Sequence, residues 1–187
     1  MQSIVVSHEI LLERLRESDA KPIFSAIDKN RVHLGRWLPF VANTKELKDS
    51  EFFIDEIIEN RDETLNEVYT IWYKGDFAGI ISFHHTDRVN EKTEIGYWLI
   101  SAMTGKGIIT LSCNTLVDLA FKKMGMNRVR ICCAVGNTAS ENIPKRLGFQ
   151  YEGIEREGER YGDNFLDLKV FSLLKKDLRI DASDPEI

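Results

Sequence analysis

Two glycines flank a lysine in the segment SAMTGKGIITL, where Gly105, Lys106 and Gly107 precede apolar residues at helical spacing. A turn of this kind between a strand and a helix leaves backbone N–H groups free at the helix start, where the helix dipole attracts anionic oxygens. Glycine accepts positive φ and has no Cβ, so a phosphate can approach its backbone closely. The segment therefore predicts a phosphate-binding turn; the alternative is a helix entrance that only requires a tight turn.

Two common nucleotide-binding motifs do not fit this glycine turn. A P-loop would need glycine at the position of Ile100 and serine or threonine at the position of Gly107, directly after Lys106. The dinucleotide fingerprint would need a third glycine at the position of Thr110. If the turn binds a phosphate, that phosphate therefore belongs to another class of ligand.

The histidines and cysteines predict neither a metal centre nor a disulfide. Adjacent residues of a strand point to opposite faces, so His84 and His85 are not expected to hold one ion together. The cysteines are odd in number, and two of the three, Cys113, Cys132 and Cys133, are adjacent, which suits no disulfide framework. We expect no metal and reduced, mostly buried thiols, which are typical of a cytoplasmic protein.

The chain has 187 residues, 43% hydrophobic and 29% charged, which is ordinary for a globular domain. We expect one domain over residues 1–180 and a loose polar tail over residues 181–187. The formal net charge of −5 argues against nucleic acid as the main partner and is compatible with a cationic substrate. Apolar runs are too short to cross a bilayer and no secretory signal is recognised, so we expect no membrane partner and a cytoplasmic location.

Hydrophobic periodicity and turn residues predict strands and helices in alternation. Capping-box spacing at Asn43 with Glu46 and at Thr138 with Glu141 predicts two helix starts, and Ser18 predicts another. A fourth helix is predicted from the glycine turn to about residue 124. This order predicts a mixed sheet with helices on both faces, an α+β or α/β single domain. The predicted strands cover residues 4–12, 68–73, 77–83, 91–100, 128–135, 150–154 and 164–174, with a hairpin turn at residues 74–76.

Four segments carry a family resemblance: EIGYWL before the turn, GKGIIT within it, NRVRICCAVGNTAS after the helix, and LGF beyond. Together they resemble the GNAT family of acyl-CoA-dependent N-acetyltransferases. The segments LGRWLPF, ISFHHTDRVNEKTEIGYWL and EREGER are similar to its Rim-type branch, which acetylates the N-termini of ribosomal proteins. The resemblance covers about residues 10–178.

The resemblance implies a GNAT-like fold, a mixed and mostly antiparallel twisted sheet of the three-layer α/β sandwich type. Its fourth and fifth strands, here residues 91–100 and 128–135, would splay apart, with acetyl-CoA in the gap and its pyrophosphate on the amides of residues 104–108. The resemblance also implies a homodimer. The implied cofactor-binding residues are Trp98, Leu99, Ile100, Thr104, Gly105, Lys106, Gly107, Ile108, Asn137 and Ser140.

The same resemblance implies chemical roles for three residues. Ser140 would donate a proton or a hydrogen bond to the departing sulfur, and Glu159 would act as base. Glu94 would orient the amine or a water, and which glutamate is the base stays open. On the residues alone, Ser140 could simply serve a first helical turn, and Glu159 lies in a charged run that is most often a solvated face. The implied acceptor mouth comprises Trp37, Phe40, His84 and Tyr97.

Two positions depart from the family pattern. Pro144 occupies the place where many GNATs have a tyrosine as general acid, and Ala102 replaces a glutamine or arginine near the phosphates. An α-amine, with a pKa of about 7.7–8.0, loses its proton more easily than a lysine at about 10.4. A protein N-terminus is therefore the expected acceptor. The alternatives are a small amine, such as a polyamine or an aminoglycoside, and an inactive acyl-CoA-binding protein.

Overall fold

A computed structural model describes residues 3–60 and 66–178, and the predicted tail lies outside these residues. Eight strands form one sheet in the order β1-β2-β3-β4-β5-β6-β8-β7, and neighbours are antiparallel except for β5 and β6. This confirms the predicted mixed, mostly antiparallel sheet. The strands are β1 (Ser3–Val5), β2 (Ile10–Arg14), β3 (Val68–Tyr73), β4 (Asp76–Asp87), β5 (Lys92–Leu99), β6 (Arg128–Ala134), β7 (Gln150–Tyr161) and β8 (Asn164–Leu174).

Helices cover both faces of the sheet, as predicted. Ile81 and Phe83 of β4 belong to one core with the long helix that follows the glycine turn, whereas Ile80 belongs to a second core with the N-terminal helices. No helix in the described part of the chain is long and apolar enough to span a membrane. The helices are α1 (Ala20–Lys29), α2 (Arg31–Leu34), α3 (Leu47–Glu59), α4 (Ile108–Lys122) and α5 (Thr138–Arg146), with short 3-10 segments at Glu17–Asp19, Pro39–Ala42, Ser101–Met103 and Lys175–Asp177.

The prediction of a single first strand over residues 4–12 is wrong, because a turn at Ser7 divides it into β1 and β2. The Ser7 hydroxyl accepts hydrogen bonds from the backbone N–H groups of Glu9 and Ile10, each at 3.2 Å. Serine side chains offer the backbone this local alternative to a strand. The predicted fourth and fifth strands are consequently β5 and β6 of the structure.

The three predicted helix starts are also corrected. Helix α3 begins after Glu46 rather than at Asn43, because the Asp49 carboxylate accepts a hydrogen bond from the Glu46 N–H at 2.8 Å. Helix α5 is capped by Asn137 instead of Thr138. Before α1, the chain makes a 3-10 turn at Glu17–Asp19, so Ser18 is not the cap. Several polar residues near each start could cap, and tertiary packing selects among them.

The parallel pairing of β5 with β6 is short. It joins Lys92, Thr93 and Glu94 to Arg128, Val129 and Arg130, and no pair follows. Beyond this point β5 continues along β4 to Leu99, and β6 continues along β8 to Ala134. The two strands therefore splay apart after the Glu94–Arg130 rung, which confirms the gap that the resemblance implied.

Two glycines of β4 and its hairpin allow a stability prediction. A Cβ at Gly79 would lie 2.0 Å from the Trp98 carbonyl oxygen, whereas a Cβ at Gly75 meets nothing within 4 Å but would sit at a φ of +87°. We expect Gly75→Ala to lower the free energy of unfolding by about 1 kcal/mol, which is the cost of the left-handed conformation. Gly79→Ala should lower it by more than about 2 kcal/mol, because strand backbones must move apart. Urea unfolding of both variants checks this, and equal losses would contradict it.

Candidate active site

A cleft of about 760 Å³ opens where β5 and β6 separate. Its walls come from the end of β5, the glycine turn, the first residues of α4, one side of α5 and the segment around α2. The structure thus brings together most of the residues that the sequence singled out for the donor, and Trp37 and Tyr97 of the predicted acceptor mouth line the same cleft. The donor residues in its lining are Trp98, Leu99, Thr104, Gly105, Gly107, Ile108, Asn137 and Ser140.

The glycine turn has the backbone that a phosphate-binding turn requires. Gly105 and Gly107 have φ of +76° and +77°, and a Cβ at either position would meet nothing within 4 Å. Gly107 is the N-cap of α4, and no side chain there accepts from the first helical N–H groups. The N-terminus of this 15-residue helix therefore faces the cleft with its donors free of a side-chain cap.

Two predicted donor-site residues lie elsewhere. The Lys106 ammonium stands 5.3 Å above the Tyr73 ring and 3.6 Å from the Met103 sulfur, outside the cleft lining. Ile100 also lies outside the lining, and its N–H donates to the Ala78 carbonyl at 2.9 Å. Within this turn, the backbone rather than the lysine side chain faces the cleft.

The Ser140 hydroxyl lies in the cleft and is held by Tyr97. Asn137 caps α5 by accepting a hydrogen bond from the Ser140 N–H at 3.2 Å. The Ser140 hydroxyl donates to the Tyr97 oxygen at 3.2 Å, and the Tyr97 hydroxyl donates to the Ser140 carbonyl at 3.1 Å. Burial raises the pKa of Tyr97 above its ordinary value, so the phenol stays protonated. The sequence had assigned Tyr97 to the acceptor mouth, whereas here it contacts Ser140.

Pro144 explains why the Ser140 carbonyl is available to Tyr97. In an α-helix, the N–H of residue 144 would donate to the carbonyl of residue 140, but proline has no N–H. Pro144 lies inside α5, and the Tyr97 hydroxyl supplies the missing donor from β5. A tyrosine hydroxyl therefore reaches this end of the cleft although the expected tyrosine is absent from α5.

An ion pair with a buried carboxylate occupies the rung at which the strands part. Glu94 is 8% exposed, and its carboxylate accepts from the Arg130 Nε at 2.5 Å. The Cys132 sulfur lies 3.7 Å from the same carboxylate, and burial raises the pKa of this thiol to about 12. Alternation along β5 puts Glu94 and Tyr97 on opposite faces of the sheet. The gap between β5 and β6 thus connects two sides of the sheet, a hydroxyl side with Tyr97 and Ser140 and a carboxylate side with Glu94.

Glu159 belongs to the carboxylate side. It is half-buried on β7, while its neighbours Glu155 and Glu157 are exposed. The pairing of β7 with β8 shifts between Glu155 and Glu159, and Glu157 takes a φ of +52°, so a bulge redirects this end of the strand. Desolvation, together with the charge of Glu94, raises the pKa of Glu159. The charged run that the sequence suggested as a solvated face thus contains one shielded carboxylate.

The two adjacent histidines do not point to opposite faces, so that reason for excluding a shared ion is wrong. His85 has a φ of +52°, and its ring centroid lies 4.9 Å from that of His84. A register shift between His84 and Asp87 marks the irregularity, which the sequence pattern does not reveal. Among residues 3–60 and 66–178, no cluster of three His, Cys, Asp or Glu residues could hold a metal.

The segment around α2 closes one side of the site. A Cβ on Gly136 would lie 3.6 Å from the Trp37 ring, and the Tyr161 hydroxyl donates to the Gly35 carbonyl. Phe40 packs near Trp98, with ring centroids 6.5 Å apart, at the edge of this region. The segment therefore contacts both the β6–α5 loop and the end of β7.

Sequence reasoning missed Arg146, His33 and Tyr161. Arg146 shares a cleft-facing side of α5 with Ala139, Asn142 and Ile143. That i, i+3, i+4, i+7 spacing was a usable signal once Ser140 was placed. Tyr161 had no such signal, because Gly35 is 126 residues away in the chain.

Comparison with known proteins agrees with this geometry. A family described as acetyltransferase (GNAT) domain matches residues 9–150. A putative ribosomal N-acetyltransferase (YdaF) of Bacillus subtilis strain 168 is 38% identical over 92% of this chain and 94% of its own. A ribosomal-protein-serine acetyltransferase of Escherichia coli strain K12 is 26% identical over 91% and 96%.

A solved structure also superposes over nearly the whole chain. It is the microcin C7 self immunity acetyltransferase MccE, in complex with acetyl-CoA and AMP. The TM-score is 0.86, with 30% identity over 92% of this chain and 96% of that one. The cleft lies at the splayed strands, and the family matches residues 9–150. The chain therefore belongs to the GNAT acetyltransferase family and is an acyl-CoA-dependent N-acetyltransferase.

Proposed function

We propose that the protein transfers the acetyl group of acetyl-CoA to the α-amine of a protein N-terminus, with a ribosomal protein as the substrate class. The observation that carries this proposal is the passage between β5 and β6, with the Ser140 hydroxyl on one side and the Glu94 and Glu159 carboxylates on the other. The ribosomal class rests on the names of the two relatives in Bacillus subtilis and Escherichia coli. We place the protein in the cytoplasm for the same reason.

The donor fits the glycine turn and α4. The N–H groups at the start of α4 would bind the pyrophosphate of acetyl-CoA, with Gly105 and Gly107 permitting its approach. The cleft continues from this turn to Ser140, where the thioester would lie. The related MccE structure contains acetyl-CoA, which supports this choice of donor.

Glu159 is our choice for the base, because Glu94 is already paired with Arg130. Its raised pKa makes it a better proton acceptor than an ordinary glutamate, directly or through a water. Ser140 would donate a hydrogen bond to the departing sulfur and then pass it a proton, which the hydroxyl would regain from the nitrogen of the tetrahedral intermediate. An α-ammonium carries the positive charge that this acidic side of the passage attracts.

A small amine is the second candidate acceptor. The acidic residues Glu94 and Glu159 would also attract a small cationic amine, and the MccE structure holds a small ligand, AMP, together with acetyl-CoA. The homodimer implied by the resemblance is a further proposal, and sedimentation velocity would test it.

An acceptor screen tests the proposed function. Purified protein is incubated with acetyl-CoA and with short peptides that begin with a free serine, alanine or methionine, in parallel with spermidine and an aminoglycoside. We expect CoA release only with peptides and acetylation at the α-amine, measured with a thiol reagent and mass spectrometry. CoA release with spermidine or the aminoglycoside alone would transfer the assignment to the second candidate, and release with none of these amines would refute the peptide assignment.

Binding of the donor depends on Gly107. In Gly107→Val, a β-branched side chain would both strain the left-handed backbone and fill the approach to the helix terminus. We expect acetyl-CoA to bind at least about tenfold more weakly, as measured by calorimetry. Gly125→Val is the matched control, because Gly125 also has a positive φ, +74°, and open space but lies outside the cleft. Equal loss of affinity in both variants would reduce the glycine turn to a structural role.

The catalytic assignment predicts a specific pH dependence. We expect Ser140→Ala and Glu159→Gln each to lower kcat by about 10²–10⁴-fold. Because the base must be ionised, activity in the parent should fall as the pH drops through the raised pKa of Glu159, above the ordinary glutamate value of about 4.3. Glu159→Gln should lose this acidic limb, whereas Glu157→Gln, an exposed neighbour on β7, should keep it. An unchanged pH profile in Glu159→Gln would remove Glu159 as the base.

A further inference from the structure

The bulge at the end of β4 places two histidines side by side. His85 adopts a φ of +52°, a left-handed conformation that is strained for a non-glycine residue. The register shift between His84 and Asp87 turns the His85 ring to within 4.9 Å of the His84 ring. Strain and bulges of this kind recur beside functional sites, where they redirect a side chain.

The His84 ring lies against Gly96, where the absence of a side chain leaves space for it. A Cβ at Gly96 would lie 2.7 Å from the His84 Nε2, so only glycine leaves room for the imidazole there. Within the described part of the chain, this Nε2 is buried and has no hydrogen-bond partner. It lies 3.7 Å from a carboxylate oxygen of Glu94, while 34% of the His84 side chain is exposed. The ring thus reaches from the buried Glu94 carboxylate towards solvent.

Titratable and charged groups of three strands act on this ring: His85 on β4, Glu94 on β5 and Arg130 on β6. Beyond them, Glu94 contacts Cys132, Arg130 pairs with Glu155, and the charge of Glu94 also acts on Glu159 on β7. Desolvation lowers the pKa of His84, which the charge of Glu94 partly opposes. The imidazole is therefore neutral near pH 7 and can take up a proton that arrives from the carboxylates.

The proposed reaction has a proton to dispose of. An ammonium acceptor and acetyl-CoA give an amide, a thiol and one proton, because one of the two protons lost from the nitrogen ends on the sulfur. The other must leave a half-buried carboxylate before the next cycle. Protons move between groups within hydrogen-bond reach or through one water. His84 is the titratable group that links Glu94 to the surface.

We propose that His84 relays the released proton from the Glu94–Glu159 carboxylates to solvent beside His85. The N–H bond of the ammonium breaks, the proton binds a carboxylate oxygen and then the His84 Nε2, and the proton on the other ring nitrogen leaves to solvent or to His85. Exchange with solvent restores the starting tautomer, so no oxidant or further reactant is required. This inference rests on the proposed function, and His84 acts through the carboxylates without touching the reacting atoms.

Replacement of His84 with a side chain that does not titrate tests the relay. With acetyl-CoA and a peptide bearing a free N-terminal serine, alanine or methionine, we expect His84→Gln to lower kcat by about 10–100-fold and leave KM unchanged. Added imidazole should restore much of the rate, which a purely structural role would not allow. His85→Gln should give a smaller loss, and His8→Gln, whose side chain is 89% exposed and remote, should match the parent.

A second variant guards against a folding artefact. Gly96→Ala keeps His84 but displaces its ring from the observed position, and it should also lower kcat. Thermal melting identifies any variant that fails to fold. Suppose that the parent acetylates a peptide and that His84→Gln folds. If this variant has the parent's kcat, or a loss of kcat that imidazole does not restore, the relay is refuted and the proposed function survives. A parent that acetylates none of these peptides refutes the peptide assignment and the relay with it.

Discussion

The rung that joins Glu94 to Arg130 is the interaction on which the site depends. It is the last backbone pairing between β5 and β6, and its side chains form an ion pair at 2.5 Å in which Glu94 is buried and Arg130 is 36% exposed. Removing Arg130 would be costly, because the buried carboxylate would lose its partner and has little water to replace it. The strands can separate beyond it because each is still paired on its outer side, β5 with β4 and β6 with β8. The sheet is otherwise continuous, and the gap between β5 and β6 begins at this rung.

The opening divides the chemistry between two faces of the sheet. Side-chain alternation along β5 sends Tyr97 towards α4 and α5 and Glu94 towards the opposite face. The anion-binding helix terminus and the Ser140 hydroxyl lie on the first side, and the carboxylates and His84 lie on the second. A donor that carries phosphates and an acceptor that carries a positive charge would therefore enter from different sides, each into a field of suitable sign.

Turn residues and hydrophobic spacing predicted the elements whose structure depends on residues close together in the chain. The Lys74–Gly75 hairpin, the glycine turn and the strand from Arg128 were all recognisable from spacing and turn residues. Helix caps were harder to predict, because Asn43 with Glu46 and Glu46 with Asp49 have the same capping-box spacing, and the structure uses the second pair. The stacked histidines and the Tyr161–Gly35 contact were not predictable, since a bulge leaves no periodic trace and the contact joins residues 126 positions apart.

Pro144 illustrates how a departure from a family pattern can be compensated by the fold. The sequence alone presented it as the loss of a tyrosine and a reason to doubt activity. In the structure, its missing N–H frees the Ser140 carbonyl, and the Tyr97 hydroxyl from β5 fills the vacancy at 3.1 Å. The oxygen of the same phenol accepts a hydrogen bond from the Ser140 hydroxyl. Tyr97 therefore both supplies the donor that α5 lacks and orients Ser140. A defect in helix hydrogen bonding thereby fixes a hydroxyl pair at the end of the cleft, where a departing sulfur would need a donor.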